Sequence, residues 1–342
     1  MMRAVFAAPI AFGITVGLVP LVSCFCQRNR IFDRPGRLKI HTRPVPRLGG
    51  IAIFIALLAG TLICCAKETS EARYFFAALA LIWCVGLFDD IRGLPVILRL
   101  IAQVCAALLL WVGGCHLPGL PHPFASMAAN CCLLVLFVNA FNWWDGMDGL
   151  AAGTACVAGF CYALLPSFTV RPLGFVVASS LAGSCAAFLL FNFRRSPKMF
   201  LGDSGSTALG LVIAFLGLDF SRTQSSAGVP TLFILAVAAL PLLDALRVIA
   251  YRLARRRSPL EGDRQHFYDL MLRDGYGPHR IAITLWGITA LCGGLAIFIQ
   301  THGRARSEVW LWALLALVAL WLFAGAALFH KTSKDYGASE LA

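Results

Sequence analysis

Apolar residues come in runs of roughly twenty along the whole chain, the length at which one α-helix crosses a hydrocarbon layer of about 30 Å. By length and hydropathy these runs predict about eleven spanning helices, near 4–26, 49–66, 74–88, 96–115, 127–143, 150–166, 173–193, 205–220, 229–250, 281–300 and 309–329. Short segments of strict alternation, the mark of a membrane β-barrel, do not occur. The fifth and sixth runs are divided only by the stretch NAFNWWDGMDGLAAG, residues 139–153. The longest connections, 27–48 and 251–280, leave no room for a soluble domain. The pattern therefore predicts an all-α, polytopic helix bundle with one transmembrane domain, 1–342. The first run reads as a retained span rather than a cleaved leader: only Arg3 precedes it and no small-x-small site follows.

Composition supports the same class. Of 342 residues, 59% are hydrophobic and 13% charged, against about half and a quarter in soluble domains. The 13 cysteines lie in apolar stretches without CxxC or Cys/His spacing, which reads as packing rather than zinc or disulfides. Charge distribution sets the orientation. With the N-terminus on the periplasmic side, one face receives Arg28, Arg30, Arg34, Arg37, Lys39, Arg43 and Arg47, then Arg194, Arg195 and Lys198, then the basic loop 251–280. The other face keeps few cations, so the rich face and the C-terminus are expected to be cytoplasmic. The same topology brings Asp89, Asp90, Asp145, Asp148 and Asp203, from separate segments, to that cytoplasmic face.

Four stretches carry candidate chemistry. In LFDDIRGLPVILRLIAQ the third run ends in Asp89-Asp90, with Arg99 and Gln103 following; adjacent carboxylates repel and tend to share a proton or a cation. In NAFNWWDGMDGLAAG, Gly146 and Gly149 predict that the helix ends near Asp145 and turns back, so that Asp145 and Asp148 converge with Asn139 and Asn142. Trp143 and Trp144 by themselves would be an interfacial belt. In FLGDSGSTALG, Gly202 and Ser204 resemble a phosphate nest at a helix start, with Asp203 either free for a cation or serving as a helix cap. In the loop 251–280, Arg264 and His266 are candidates for phosphate oxygens, Arg255-Arg256-Arg257 reads as a lipid-headgroup cluster, and Asp244 with Arg247 is either an internal ion pair or part of a pocket wall. Hard oxygens with little imidazole favour Mg²⁺ or Mn²⁺ over zinc. With arginines and a glycine-rich turn they form the equipment of phosphoryl transfer.

Taken together, DRPGRLKIHTRPVPRLGGIAI (33–53), DD (89–90), NAFNWWDGMDGLAAG (139–153), FLGDSGS (200–206) and DRQHF (263–267) resemble the polyprenyl-phosphate N-acetylhexosamine-1-phosphate transferases, over about residues 33–280. The resemblance implies a bacterial inner-membrane transferase whose site faces the cytoplasm. It would pass HexNAc-1-phosphate from a UDP-N-acetylhexosamine to undecaprenyl phosphate, yielding UMP and starting O-antigen or another envelope polysaccharide. It implies a magnesium ion on Asp203 and Asp148. Asn139, Asn142, Asp145 and Asp148 would line the nucleotide and metal pocket, Asp89, Asp90 and Arg99 would stand near the lipid phosphate, and Arg264 and His266 near the diphosphate or sugar. No nucleic acid is implied; a homodimer is compatible with it.

Two departures qualify the resemblance. The family's HxHH loop reads His266-Phe267-Tyr268-Asp269, and Gly93 stands where the peptidoglycan-precursor branch carries lysine. Both point away from that branch and leave a 6-deoxy donor, such as FucNAc or QuiNAc, as an alternative. A secondary transporter is the rival from another class, since acids within membranes also mark ion paths; against it, the acids lie at one edge and no internal repeat is visible. An inactive homologue would be expected to have lost the aspartates too.

Overall fold

The computed structural model describes residues 3–36, 41–65, 70–117, 120, 122–165, 171–194, 198–222 and 228–302, and 309, 312–313, 316–321 and 323 beyond them. The molecule is an all-α membrane bundle. A 3₁₀ turn, Ala4–Phe6, leads into α1 (Ala7–Arg28); α2 (Gly49–Cys64), α3 (Ser70–Arg92), α4 (Val96–Val112), α5 (Pro123–Trp144), α6 (Leu150–Ala163), α7 (Pro172–Asn192) and α8 (Asp203–Ser221) follow. Then come α9 (Gly228–Val237), α10 (Ala239–Ala254), α11 (Phe267–Arg273) and α12 (Pro278–His302). Among the described residues, six helices, α1 with its leading turn, α3, α5, α7, α8 and α12, are long and apolar enough to span a membrane, and α2, α4 and α6 are shorter apolar helices. The eleventh predicted run, 309–329, falls largely outside the described residues.

The ninth run is not one helix. α9 stops at Val237 and α10 starts at Ala239, because Pro241 has no N–H for the Val237 carbonyl and its ring crowds that oxygen. A second difference is a two-residue antiparallel ladder, β1 (Phe32–Asp33) with β2 (Val45–Pro46), pairing Phe32 with Pro46 and Asp33 with Val45. It folds the basic loop 27–48 back on itself. A third is α11, a short helix within loop 251–280.

α8 is the central post, with every residue from Ser204 to Ser221 buried. It packs on α2, α3, α5, α6, α7 and α9. Small residues let its N-terminus come close to its neighbours. A Cβ on Gly86 of α3 would stand 2.7 Å from the Ser204 Cα, and one on Gly50 of α2 would collide with the Gly205 backbone. Backbone hydrogen bonds tie the same region. Phe200 N–H donates to Pro46 O (2.9 Å), Gly49 N–H to Phe200 O (2.9 Å) and Gly50 N–H to Leu201 O (2.8 Å). The strand-like segment 198–202 thus lies against the start of α2. At the other end of the bundle, Arg171 meets Glu71 (2.7 Å) and Asp219 (2.9 Å), and Arg222 meets Glu71 (2.8 Å), clamping α3, α7 and the end of α8.

Overpacking backbone against backbone has no side chain that can yield, and costs about 1–3 kcal/mol or more. Gly50→Ala and Gly86→Ala are therefore expected to lower the melting temperature of detergent-solubilised protein by several degrees. Gly287→Ala, where a Cβ meets nothing within 4 Å, is expected to leave it unchanged. Thermal denaturation followed by size-exclusion chromatography checks both.

Candidate active site

The two adjacent aspartates at the end of α3 do different things, because successive helical positions point about 100° apart. Asp90 turns inward and is 3% exposed. Its carboxylate accepts the backbone N–H of Asp203 (2.9 Å), the N–H of Ser204 (3.0 Å) and the Ser204 hydroxyl (2.8 Å). These are the orphan donors of the first turn of α8, and an anion there is favoured by the helix dipole. The preceding residue, Gly202, has φ +76°, and a Cβ on it would lie 2.7 Å from an Asp90 oxygen, so glycine is required on both counts. The phosphate nest expected at Gly202 and Ser204 is therefore already filled, by a carboxylate of the chain itself. Nor is Asp203 the cap of its own helix. Asp90 does that work and leaves the Asp203 side chain free to face outward.

Asp203 receives a hydrogen bond from the Asn142 amide (2.9 Å), which also reaches Ser206 Oγ (3.0 Å). Asn142 and Asn139 lie three residues apart on one face of α5; Asn139 donates to Gln103 of α4 (2.7 Å) and to Val135 O (2.7 Å). Arg99 of α4 bridges Asp89 (2.8 Å) and Asp203 (3.6 Å). The Asp89 and Asp203 carboxyls themselves come within hydrogen-bonding reach of one another. Two ionised carboxylates repel at that range, so the pair calls for a shared proton or a cation.

Two concavities meet at Asp203. One is a narrow cleft between α3, α4, α5 and α8, walled by Ile82, Val85 and Val138 and carrying Asp89, Arg99, Gln103, Asn139 and Asn142. The other is a cavity of about 480 Å³ lined by Asp33, His41, Arg47, Asp90, Asp145, Asp148, Lys198, Phe200 and Gly202 among others. Asp203 lines both.

The turn between α5 and α6 forms as the glycines predicted. α5 ends at Trp144, Asp145 follows as its C-cap, and Gly149 takes φ +76° before α6. Asn192 pins it, accepting from the Gly149 N–H (2.6 Å) and donating to Met199 O (2.9 Å). Burial, then the negative charges of Asp203, Asp90, Asp148 and Asp33, push the Asp145 carboxyl well above the usual carboxylate range. Asp148, expected to join Asp203 on the metal, is ion-paired with Lys198 in this ligand-free chain. The carboxylate drawn to Asp203 is Asp89.

Loop 251–280 also departs from expectation. His266 is buried, its Nδ1 2.7 Å from Asp244. Asp244 also binds Arg247 (2.8 Å) and the Phe267 N–H (3.0 Å), so the Asp244–Arg247 pair is internal. Arg264 pairs with Asp269 (3.2 Å). Neither Arg264 nor His266 lines either concavity, because buried carboxylates claim them first. The tryptophans are not a belt. Trp144 is 1% exposed with its indole N–H on Thr154 Oγ1 (3.1 Å), and Trp143 stacks under Arg252, 5.2 Å from the ring centre. Arg255, Arg256 and Arg257 are exposed, as a headgroup cluster would be.

Asp33, His41, Arg47 and Lys198 line the large cavity without having been singled out as site residues. Arg47 and Lys198 had counted only as charges that set orientation. The available signal was their position inside or beside the motif stretches 33–53 and 200–206.

Comparison with known proteins gives a consistent result. Residues 72–221 match the family model described as glycosyl transferase family 4. The chain is 30% identical to the decaprenyl-phosphate N-acetylglucosaminephosphotransferase of Mycobacterium leprae, over 84% of this chain and 82% of that protein. It is 30% identical to the protein of the same name from Mycolicibacterium smegmatis, over 78% and 75%. It is 25% identical to the undecaprenyl-phosphate alpha-N-acetylglucosaminyl 1-phosphate transferase of Escherichia coli strain K12, over 86% and 82%.

Removing the Asp90 carboxylate leaves two backbone amides and the Ser204 hydroxyl without their acceptor. Asp90→Ala is expected to cost about 3 kcal/mol of stability, more than Asp89→Asn, which keeps the side-chain volume and an acceptor for the Leu94 N–H. Thermal shift of the two purified variants distinguishes a capping aspartate from one that serves the site.

Proposed function

The chain belongs to the polyprenyl-phosphate N-acetylhexosamine-1-phosphate transferases, and on that premise we propose that it moves N-acetylhexosamine-1-phosphate from a UDP-linked donor to undecaprenyl phosphate. The relatives' names make N-acetylglucosamine the sugar to try first. An oxygen of the lipid phosphate attacks the β-phosphorus of the donor, the bond from that phosphorus to the bridging oxygen breaks, and UMP leaves. The product is a lipid-diphosphate sugar, the first intermediate of an envelope polysaccharide such as O-antigen. The site lies on the cytoplasmic face of the inner membrane, where the basic loops gather. A secondary transporter loses its support once the chain stands in a transferase family.

The observation that carries this reading is that Asp203 lines both concavities. The narrow cleft, about 20 Å³ in the ligand-free chain, would have to widen to take a lipid phosphate, which would meet Arg99, Gln103 and Asn139 beside Asp203 there. The 480 Å³ cavity suits a nucleotide-sugar. The two reacting phosphates would then meet at Asp203.

Among the described residues no three acidic, histidine or cysteine groups form a ready metal cage. Magnesium does not need one; it takes one or two carboxylates and completes its shell with water and substrate phosphate. The crowded Asp89 and Asp203 carboxylates fit that demand, with Asn142 fixing the rotamer of Asp203. When bound, the ion would supply charge neutralisation between two phosphates. Arg99 adds a fixed positive charge on the lipid-phosphate side. Burial and the surrounding acids raise the Asp145 carboxyl above the usual carboxylate range. No general base is required, because a phosphate monoester with a second pKa near 6 is largely dianionic at neutral pH.

Asp203→Asn is expected to lower turnover by at least about a thousandfold, the scale of losing a central electrostatic group, while the variant inserts and elutes as wild type. UMP release and lipid-linked product, followed together with undecaprenyl phosphate and a panel of UDP-N-acetylhexosamines, measure it. Wild-type release of UMP should stop with EDTA and return with Mg²⁺. Full activity in EDTA would sink the metal assignment.

A further inference from the structure

The donor proposed above brings a diphosphate into a cavity already lined by Asp33, Asp90, Asp145, Asp148 and Asp203. Those anions would repel it, so cations must meet it there. The cations expected for that task are committed elsewhere: Arg264 to Asp269 and His266 to Asp244. Their neighbours are committed as well. Arg247 is bound by Asp244, and Arg252 is held in a fork by Asp263 (3.0 Å through both nitrogens).

Among the described residues that line the cavity, the permanently charged cations are Arg47 and Lys198. They sit on one wall by construction. The segments that carry them, 45–50 and 198–202, are joined by the backbone hydrogen bonds Phe200 N–H to Pro46 O, Gly49 N–H to Phe200 O and Gly50 N–H to Leu201 O. Both are partly solvated, at 27% and 26% side-chain exposure, and both lean on acids of the same cavity. Lys198 pairs with Asp148, and Arg47 stands 3.7 Å from Asp33 and 4.0 Å from Asp90. The Arg47 contacts are too long for direct hydrogen bonds, so its guanidinium keeps donors to offer.

We infer that Lys198, with Arg47 beside it, binds the diphosphate of the nucleotide-sugar, and that Asp148 holds Lys198 in place until the donor displaces it. The inference rests on the donor reading given above. In the ligand-free chain each cation is neutralised by a side chain that an incoming phosphate can replace. An ammonium on a flexible stem suits the exchange, because it can turn from one oxygen partner to another without a fixed fork geometry.

The experiment compares UMP, UDP and UDP-N-acetylglucosamine binding to purified protein in detergent at fixed Mg²⁺ by calorimetry, alongside steady-state kinetics. Lys198→Gln is expected to weaken UDP and the UDP-sugar about tenfold, the size of one charge-assisted contact, with a much smaller effect on UMP. The donor KM should rise while the KM for undecaprenyl phosphate stays put, and Lys198→Arg should restore most of the loss. Arg47→Gln should repeat the discrimination between UDP and UMP. Retained UMP binding certifies that each variant is folded. Equal weakening of UMP and UDP would make Lys198 merely structural, and wild-type affinity for UDP in Lys198→Gln would overturn the inference outright. If the wild type itself bound no uridine nucleotide, the donor reading would fall and take this inference with it.

Discussion

A single buried carboxylate organises the site. Asp90, projecting from the end of α3, takes the two exposed amides and the Ser204 hydroxyl at the start of α8. α8 is buried from Ser204 to Ser221, and an internal anion takes up the donors of its first turn. The consequence reaches beyond capping. With the helix end satisfied from outside, Asp203 need not fold back on its own backbone, and its carboxylate projects to where the narrow cleft and the large cavity meet. Neighbouring Asp89, one step round α3, reaches Arg99 and the same carboxylate. Two consecutive aspartates thus divide into one that caps α8 and one that faces the narrow cleft.

The approach of the helices depends on what is missing from their surfaces. Gly50 and Gly86 let α2 and α3 close on the first turn of α8, and Gly202 lets Asp90 reach its amides. In a membrane, apolar side chains gain little by leaving lipid for protein, so close packing through small residues and shared hydrogen bonds carries the association of helices. The hydrogen bonds between 45–50 and 198–202 extend the same logic to the non-helical backbone at the bundle's end. That backbone lines a cavity and pairs with itself rather than meeting lipid, as it must.

The loop 251–280 carries its motif residues in a buried network. His266 is present, but Asp244 and the Phe267 amide hold it within a buried network with Arg247, and Tyr268 uses its hydroxyl on Trp143 O (3.2 Å). The segment serves as a brace against α5 and α10. Positive charge in the large cavity comes from Arg47 and Lys198 instead.

The sequence alone determined the class, the succession of helices and which residues could matter. Length and hydropathy are properties of consecutive residues, and a bilayer reads them directly. Gly146 and Gly149 announced the turn after α5 because a left-handed residue leaves a local signature, as Gly149 does at φ +76°. The family resemblance rested on motifs that can be read as strings. Only the tertiary structure decided what the charged residues do, since an ionisable side chain is defined by its partner and the partners are distant in the chain. Asp90 became a cap 113 residues from the amide it binds, Asp148 met Lys198, Arg264 met Asp269 and His266 met the buried Asp244. Nothing in the order of residues separates Asp89 from Asp90. The rotation of one helix against another does.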